Sequence, residues 1–195
     1  AYEYGASDYI ARPFDARVVY QRVFNTIKLY AKQRRLLNLV TAQVYEKERS
    51  NRIMLAILSQ IVEFRNGESG LHVIHINIVT ELLLEHLMSR SDRYYMSWAE
   101  QQLVVTASAL HDIGKIGIPD PFLNKPAQLT DDEYNLIKKH TVIGAEILKD
   151  ITLIPHAAEI ARSHHERYDG KGYPDGLAGT EIPIHARIVA VADCY

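Results

Sequence analysis

The chain has 195 residues, 47% hydrophobic and 24% charged, the balance of a globular protein large enough for one domain with a sizeable core. Twenty-two Lys and Arg against 24 Asp and Glu leave a formal charge of −2, which excludes a protein that coats DNA or an acidic membrane through a global positive field. A single cysteine, Cys194, excludes an internal disulfide framework and suits a reducing cytoplasm. No run approaches ~18 consecutive apolar residues, so no membrane span is expected. There is no signal peptide, and the opening Ala1 in place of Met is expected of a cut rather than a natural start.

In chain order, Gly5–Ile10 reads as a strand, Arg12-Pro13-Phe14-Asp15 as punctuation, and Val18, Val19, Val23, Ile27 and Tyr30 recur at helical spacing. The string Gly5-Ala6-Ser7-Asp8-Tyr9-Ile10 with Arg12-Pro13-Phe14 resembles the end of a response-regulator receiver domain. The resemblance implies a phosphoacceptor aspartate upstream and a sensor kinase as partner. Arg12 stands where that family keeps its signalling lysine, which puts normal phosphorylation chemistry in doubt.

From Leu29 to about Val62 neither Pro nor Gly occurs, and Leu36, Leu37, Val40, Val44, Ile53, Leu55, Leu58 and Ile61 mark one stripe of a long amphipathic helix. Two readings stay open, a helix packed on its own domain or a parallel coiled coil joining two protomers. The heptad is imperfect from Gln43 to Arg52, and the balance leans to a dimerising connector. The expected domains are 1–30, a linker over 31–62, and the remainder over 63–195.

Beyond the break at Asn66–Gly70 the chain reads as helical almost throughout. A helix is expected from about Leu71 to Met88. The capping box at Ser97–Glu100 opens one that reaches His111, and the box at Thr130–Glu133 opens another that carries His140. Pro155 is expected in the first turn of a helix running to His164 and His165.

The chemistry concentrates in this half. His111-Asp112 offers a nitrogen and an anionic oxygen, a ligand pair for a hard or borderline divalent cation, and Gly114 after it is expected to stop the helix in a left-handed conformation. His164 and His165, as neighbours on a helix, should point about 100° apart and diverge, serving two metals or one metal and a substrate phosphate. His140 lies on an apolar helix face, His72 stands four residues after Glu68, and Asp193 ends an apolar run. Gly170-Lys171-Gly172-Tyr173-Pro174-Asp175-Gly176 reads as a glycine-hinged loop holding an aromatic ring.

His111-Asp112-Ile113-Gly114-Lys115 together with His164-His165-Glu166-Arg167-Tyr168-Asp169-Gly170-Lys171-Gly172-Tyr173-Pro174 resembles the HD-GYP family of metal-dependent phosphohydrolases, and the match runs from about Glu68 to the last residue. The resemblance implies an all-α HD-type helical bundle, here preceded by a long connector helix and a short βα remnant of a receiver domain. It implies two or three divalent metal ions, commonly iron or manganese, held by His72, His111, Asp112, His140, His164, His165 and Asp193, with Glu68 matching the glutamate of members that hold a third ion. It implies hydrolysis of cyclic di-GMP to pGpG or GMP, with Asp112 and Lys115 catalytic, Lys115 at a substrate phosphate, and Gly172, Tyr173 and Pro174 at the substrate. The assignment is physically coherent: an anionic phosphodiester needs positive charge and a nucleophile together, which two ions roughly 3.5–4 Å apart supply.

His75 stands where the family has an arginine and reads as packed or exposed, while His86, His156 and His185 match no ligand position and read as ordinary. The family continues past Asp193 into a basic Arg-Pro-Tyr segment and further helices, so the domain over 63–195 is expected to be truncated at its C-terminus, without part of the substrate-binding surface. Two alternatives accompany the main reading. One is an HD phosphohydrolase acting on another cyclic dinucleotide. The other is a non-catalytic module whose GYP loop docks a diguanylate cyclase or another partner.

Overall fold

A Pro- and Gly-free stretch lets the backbone ladder run uninterrupted, and in the computed structural model the two helices expected on either side of Tyr30 are one, α1 (Ala16–Phe64). The structure describes residues 9, 12, 13, 15–65, 67, 71–90 and 94–195. The strand expected over Gly5–Ile10 therefore lies, Tyr9 apart, outside the described residues, and so does Glu68. After α1 come α2 (Leu71–Arg90), α3 (Trp98–Ser108), α4 (Asp120–Leu123), α5 (Asp131–Leu148), α6 (Ala157–Ser163) and α7 (Ile184–Cys194), with 3-10 turns at Ile113–Gly117 and Gly179–Glu181. Among the described residues there is no strand, and the all-α expectation holds.

The chain divides into two units, Ala1–Ser50 and Asn51–Tyr195. In the first, α1 leaves Val23, Ile27, Tyr30, Leu37, Val40 and Val44 exposed at spacings of three, four and seven residues. In the second, the last turns of α1 bury Ser59 and Val62. Arg65, just past its end, donates to the carbonyl oxygens of Ile116 (3.1 Å) and Ile118 (3.3 Å) and pairs with Asp120 at 2.6 Å, while Asn124 donates to the Arg65 carbonyl at 2.8 Å. The end of α1 is thereby tied to the segment that follows Lys115.

The core is a continuous cluster of Leu84, Met96, Val104, Ala107, Leu110, Leu148, Ile154, Ile160, Ala161, Ile188 and Val189. It forms where α2 packs on α3 and α7, α5 on α6, and α6 on both α3 and α7. By length and composition α2 would suffice to cross a membrane, with a mean hydropathy of 1.2. It is a bundle helix that buries Val73, Ile76, Thr80 and Leu84 and also carries His72, Asn77 and Glu81.

Both expected capping boxes are present. Ser97 Oγ and Thr130 Oγ1 each accept the backbone N–H three residues on, and Glu100 and Glu133 accept in return from Ser97 and Thr130. Two expected ends shift. α3 stops at Ser108, so His111 and Asp112 lie in the turn beyond it, and His156 rather than Pro155 stands at the start of α6. That histidine has φ 67°, ψ −7°, a left-handed conformation that leaves Pro155 outside the helix.

Candidate metal centre

The turn after α3 is shaped by a close approach. The 3-10 segment Ile113–Gly117 packs on α5, and a Cβ added at Gly114 would stand 1.8 Å from the His140 carbonyl oxygen and 2.4 Å from the Gly144 nitrogen. Gly114 is therefore glycine because two backbones meet there, and it does not adopt the left-handed conformation expected of it. The contact places Asp112 against His140: Oδ1 lies 3.2 Å from His140 Nε2 and 3.7 Å from His164 Nε2. The other oxygen, Oδ2, lies 3.3 Å from His111 Nε2 and 2.6 Å from Lys115 Nζ, which the 3-10 turn brings back three residues on.

Two groups of ligand-competent side chains meet at this carboxylate, Asp112 with His140, His164 and His165, and His72 with His111 and Asp193. Asp193 Oδ1 is 3.3 Å from His72 Nε2 and 3.5 Å from His111 Nε2. His164 and His165 do not diverge as expected. α6 ends at Ser163, both rings lie in the turn beyond it with centroids 4.1 Å apart, and both join the Asp112 group.

Ring orientation is held from behind. His111 Nδ1–H donates to the Ser108 carbonyl (2.9 Å), His140 Nδ1–H to Ile137 (2.7 Å) and His164 Nδ1–H to Ile160 and Ala161 (3.0 Å each). A carbonyl only accepts, so Nδ1 carries the proton and Nε2 turns to the centre, as in metal-ligating imidazoles. His111 Nε2 and Asp112 Oδ1 are buried with no aligned hydrogen-bond partner despite their near neighbours. Buried polar atoms left in that condition are costly, and this donor set of imidazole nitrogens and carboxylate oxygens fits divalent metal ions.

The electrostatics point the same way. Burial works against charge on His111, yet Asp112 and Asp193 outweigh it and raise the ring to about 10. Burial opposes ionisation of Asp193 too, but His111 beside it holds the carboxyl down at about 2. Burial, then the charges of His164 and His140, push His165 down to about 3. The two carboxylates thus favour a positive charge at His111, while burial favours the neutral forms of His164 and His165.

The expected substrate loop folds over this centre. Tyr173 is half-buried, its ring 4.8 Å from that of His165 and edge-on to Tyr134 at 6.3 Å, and its N–H donates to the His165 carbonyl at 3.3 Å. The Lys138 ammonium lies over the Tyr134 ring at 4.5 Å. A Cβ at Gly172 would fall 2.3 Å from the Arg167 nitrogen, so only glycine lets the loop lie on the preceding segment. Glu166 is the residue that sequence reasoning passed over. Buried, it accepts from the backbone N–H groups of Asp175 (2.7 Å), Gly176 (3.1 Å) and Leu177 (3.0 Å), and thereby sets the path of the loop behind Tyr173 and Pro174. Its place inside the His-His-Glu string was the available signal. Arg162 reinforces the loop through two 2.7 Å bonds to Asp175. His75 and His86 are exposed and join no ligand group among the described residues.

Residues 71–195 match the family model for the HD domain. The chain is 39% identical over 204 residues to the cyclic di-GMP phosphodiesterase response regulator RpfG of Xanthomonas campestris pv. campestris, covering 100% of this chain and 52% of that protein. It is 34% identical over 209 residues to a cyclic di-GMP phosphodiesterase of Thermotoga maritima, covering 99% and 55%. With the 3'3'-cGAMP-specific phosphodiesterase 2 of Vibrio cholerae it shares 41% identity over 140 residues, 71% of this chain and 26% of that one. The chain spans about half the length of the first two of these relatives.

Proposed function

This chain belongs to the HD domain family, and from that premise we propose that it is a metal-dependent phosphodiesterase hydrolysing cyclic di-GMP to pGpG or GMP as the output unit of a response regulator. The observation that carries the reading is the placement of Asp112 between two ligand groups, one oxygen toward each. His140, His164 and His165 would hold an ion on one side and His72, His111 and Asp193 on the other, with Asp112 shared. Glu68 is the expected ligand of a third ion. The donors suit iron or manganese, and ions bound here supply the positive charge and activated water that phosphodiester hydrolysis needs. Lys115, 2.6 Å from Asp112, offsets charge that builds on the phosphate oxygens. Tyr173 offers its face to a guanine beside His165 and walls that side of the site from water. Gly172 and Pro174 set that ring in place.

The exposed Val23, Ile27, Tyr30, Leu37, Val40 and Val44 stripe supports a homodimer through the connector helix. The contacts of Arg65 to Ile116, Ile118 and Asp120 give that helix a mechanical link to the Lys115 turn. The resemblance of residues 5–14 to a receiver end supports the C-terminal end of a receiver over 1–30, a linker over 31–62 and control by a sensor kinase. The Vibrio cholerae relative, named as 3'3'-cGAMP-specific, favours the hybrid dinucleotide as a second substrate reading.

Anaerobically purified protein, measured for metal content and assayed on cyclic di-GMP and 3'3'-cGAMP side by side, tests both. Two or three irons or manganese ions per chain with faster turnover of cyclic di-GMP is the expected result. Faster turnover of 3'3'-cGAMP selects the second substrate, and folded protein without metal or turnover overturns the enzymatic reading.

A further inference from the structure

Three side chains at the opposite ends of α6 and α7 from this centre form a second ligand cluster. His156 precedes α6, Glu159 lies on its first turn, and His185 is the second residue of α7. The imidazoles of His156 and His185 stack with centroids 3.7 Å apart and planes within 25°. Both turn Nδ1 toward one oxygen: His156 Nδ1 lies 2.9 Å from Glu159 Oε2 and His185 Nδ1 lies 3.7 Å from the same atom. His185 Nδ1 is buried and has no hydrogen-bond partner. His156 reaches this position through a left-handed backbone, φ 67°, which is costly for a residue with a Cβ and is stored where a side chain must be aimed. Glu100 of α3 adds a negative charge that acts on both rings.

We propose that His156, Glu159 and His185 form a second divalent-cation site, of the kind that takes Zn2+, which ties α6 to α7 at the ends remote from Asp112. Two imidazole nitrogens and one carboxylate oxygen are a zinc donor set with a fourth position left to solvent. With bonds of ~2.0–2.2 Å, tetrahedral ligand atoms stand ~3.4 Å apart; the two distances to Glu159, 2.9 and 3.7 Å, bracket that spacing, and the stacked rings swing apart as both nitrogens turn to one ion. A cation also resolves what the rings alone do not: one Glu159 oxygen accepts one N–H well, which leaves the second Nδ1 orphaned. The site is half-exposed, with side-chain exposures of 38% at His156 and 52% at Glu159, so the ion can exchange with solvent. Its place in the fold carries a consequence. α6 leads from Glu159 to His164 and His165, and α7 leads from His185 to Asp193 over eight residues, about 12 Å of helix. A clamp here steadies the two helices that present three of the ligands expected at the other centre.

The test uses the full chain already loaded with its iron or manganese and equilibrated with micromolar zinc chloride alone, followed by dialysis, elemental analysis and thermal unfolding. Wild type is compared with His185→Gln, Glu159→Gln and His156→Asn, the last chosen because asparagine tolerates the left-handed backbone. The expected result is one more zinc equivalent in wild type than in any variant, with iron or manganese content unchanged and a zinc-dependent rise in Tm that the variants lose. Equal zinc content, or an equal Tm response, in wild type and variants overturns the proposal. The readout does not depend on phosphodiesterase activity, so failure of this site and failure of the enzymatic reading are separate results.

Discussion

Around Asp112 the rings of His111, His140 and His164 turn Nδ1 to backbone carbonyls and present Nε2 to the centre, whereas His156 and His185 turn Nδ1 itself toward Glu159. The difference follows from position along a helix. A histidine inside or just past a helix has carbonyls three and four residues back, and Ser108, Ile137, Ile160 and Ala161 serve in that way. A histidine at a helix start has none, so its ring is free to be aimed by a side chain. Carbonyl-held rings in a buried site are pre-organised, and rings held by one half-exposed carboxylate adapt to whatever enters.

That comparison breaks most severely at Asp112. Asp112→Ala should lower cyclic di-GMP hydrolysis by at least ~10²–10³-fold, the scale for removal of a group that meets developing charge, and should lower bound metal, as activity and elemental analysis on one sample will show. The same substitution should leave zinc uptake at His156, Glu159 and His185 intact.

Gly114→Ala forces a Cβ into the His140 carbonyl and the α5 backbone. Overpacking of this kind costs about 1–3 kcal/mol or more. Calorimetry should show a Tm lower by about 2–4 °C per kcal/mol for a chain of this length, with loss of metal at the Asp112 group.

Glu166→Ala leaves three backbone N–H groups of the loop without their acceptor. About 1–3 kcal/mol of stability and roughly 10–100-fold in activity should go, with KM rising because Tyr173 and Pro174 lose their support. Glu166→Gln, which keeps one carbonyl acceptor, should recover part of both. A loss confined to Tm, with KM unchanged, would mean that the loop does not meet substrate.

The smallest effect is on pH dependence in chelator. Burial, then the histidines around it, lowers His165, and burial likewise lowers His164. Both are neutral in the fold but take up protons on unfolding near ~6.5. Their contribution is therefore present above that value and is lost as pH falls below it. Asp193, at about 2 in the fold, adds a further loss as pH falls below ~4 toward that value. His111, raised to about 10, runs the other way: its contribution is whole below ~6.5 and drains as pH rises toward 10. Tm in EDTA should decline on both sides of neutrality, and a profile flat from pH 4 to 7 would contradict the buried, neutral state of His164 and His165.

Much of the site was legible because its parts are short strings with their own local logic. The capping boxes at Ser97 and Thr130 satisfy orphaned N–H groups within four residues, and both formed as read. His111-Asp112, His164-His165 and the Gly172-Tyr173-Pro174 loop announced themselves as neighbours in sequence. Three details were not legible for a shared reason, which is that each is settled by a surface arriving from far along the chain. Gly114 looked like a helix stop, and the α5 backbone decided its role. His164 and His165 were read as divergent, but α6 ended at Ser163, before either of them. His156 and His185 looked ordinary, since neither has a nearby ligand partner in sequence other than Glu159, and only the packing of α6 on α7 stacked their rings.

By itself the amino-acid sequence determined that this chain is helical, that it carries the strings by which it resembles the HD family, and that no Pro or Gly interrupts α1. Those properties rest on hydrophobic period, capping chemistry and motif order, all local quantities. Only the tertiary structure decided that Asp112 turns one oxygen to each ligand group, that Glu166 ties down the loop carrying Tyr173, and that a second ligand cluster stands at the far ends of α6 and α7. The physical reason is that ligand geometry depends on distances between side chains such as His72 and Asp193, 3.3 Å apart across the bundle, which only the packed core brings together.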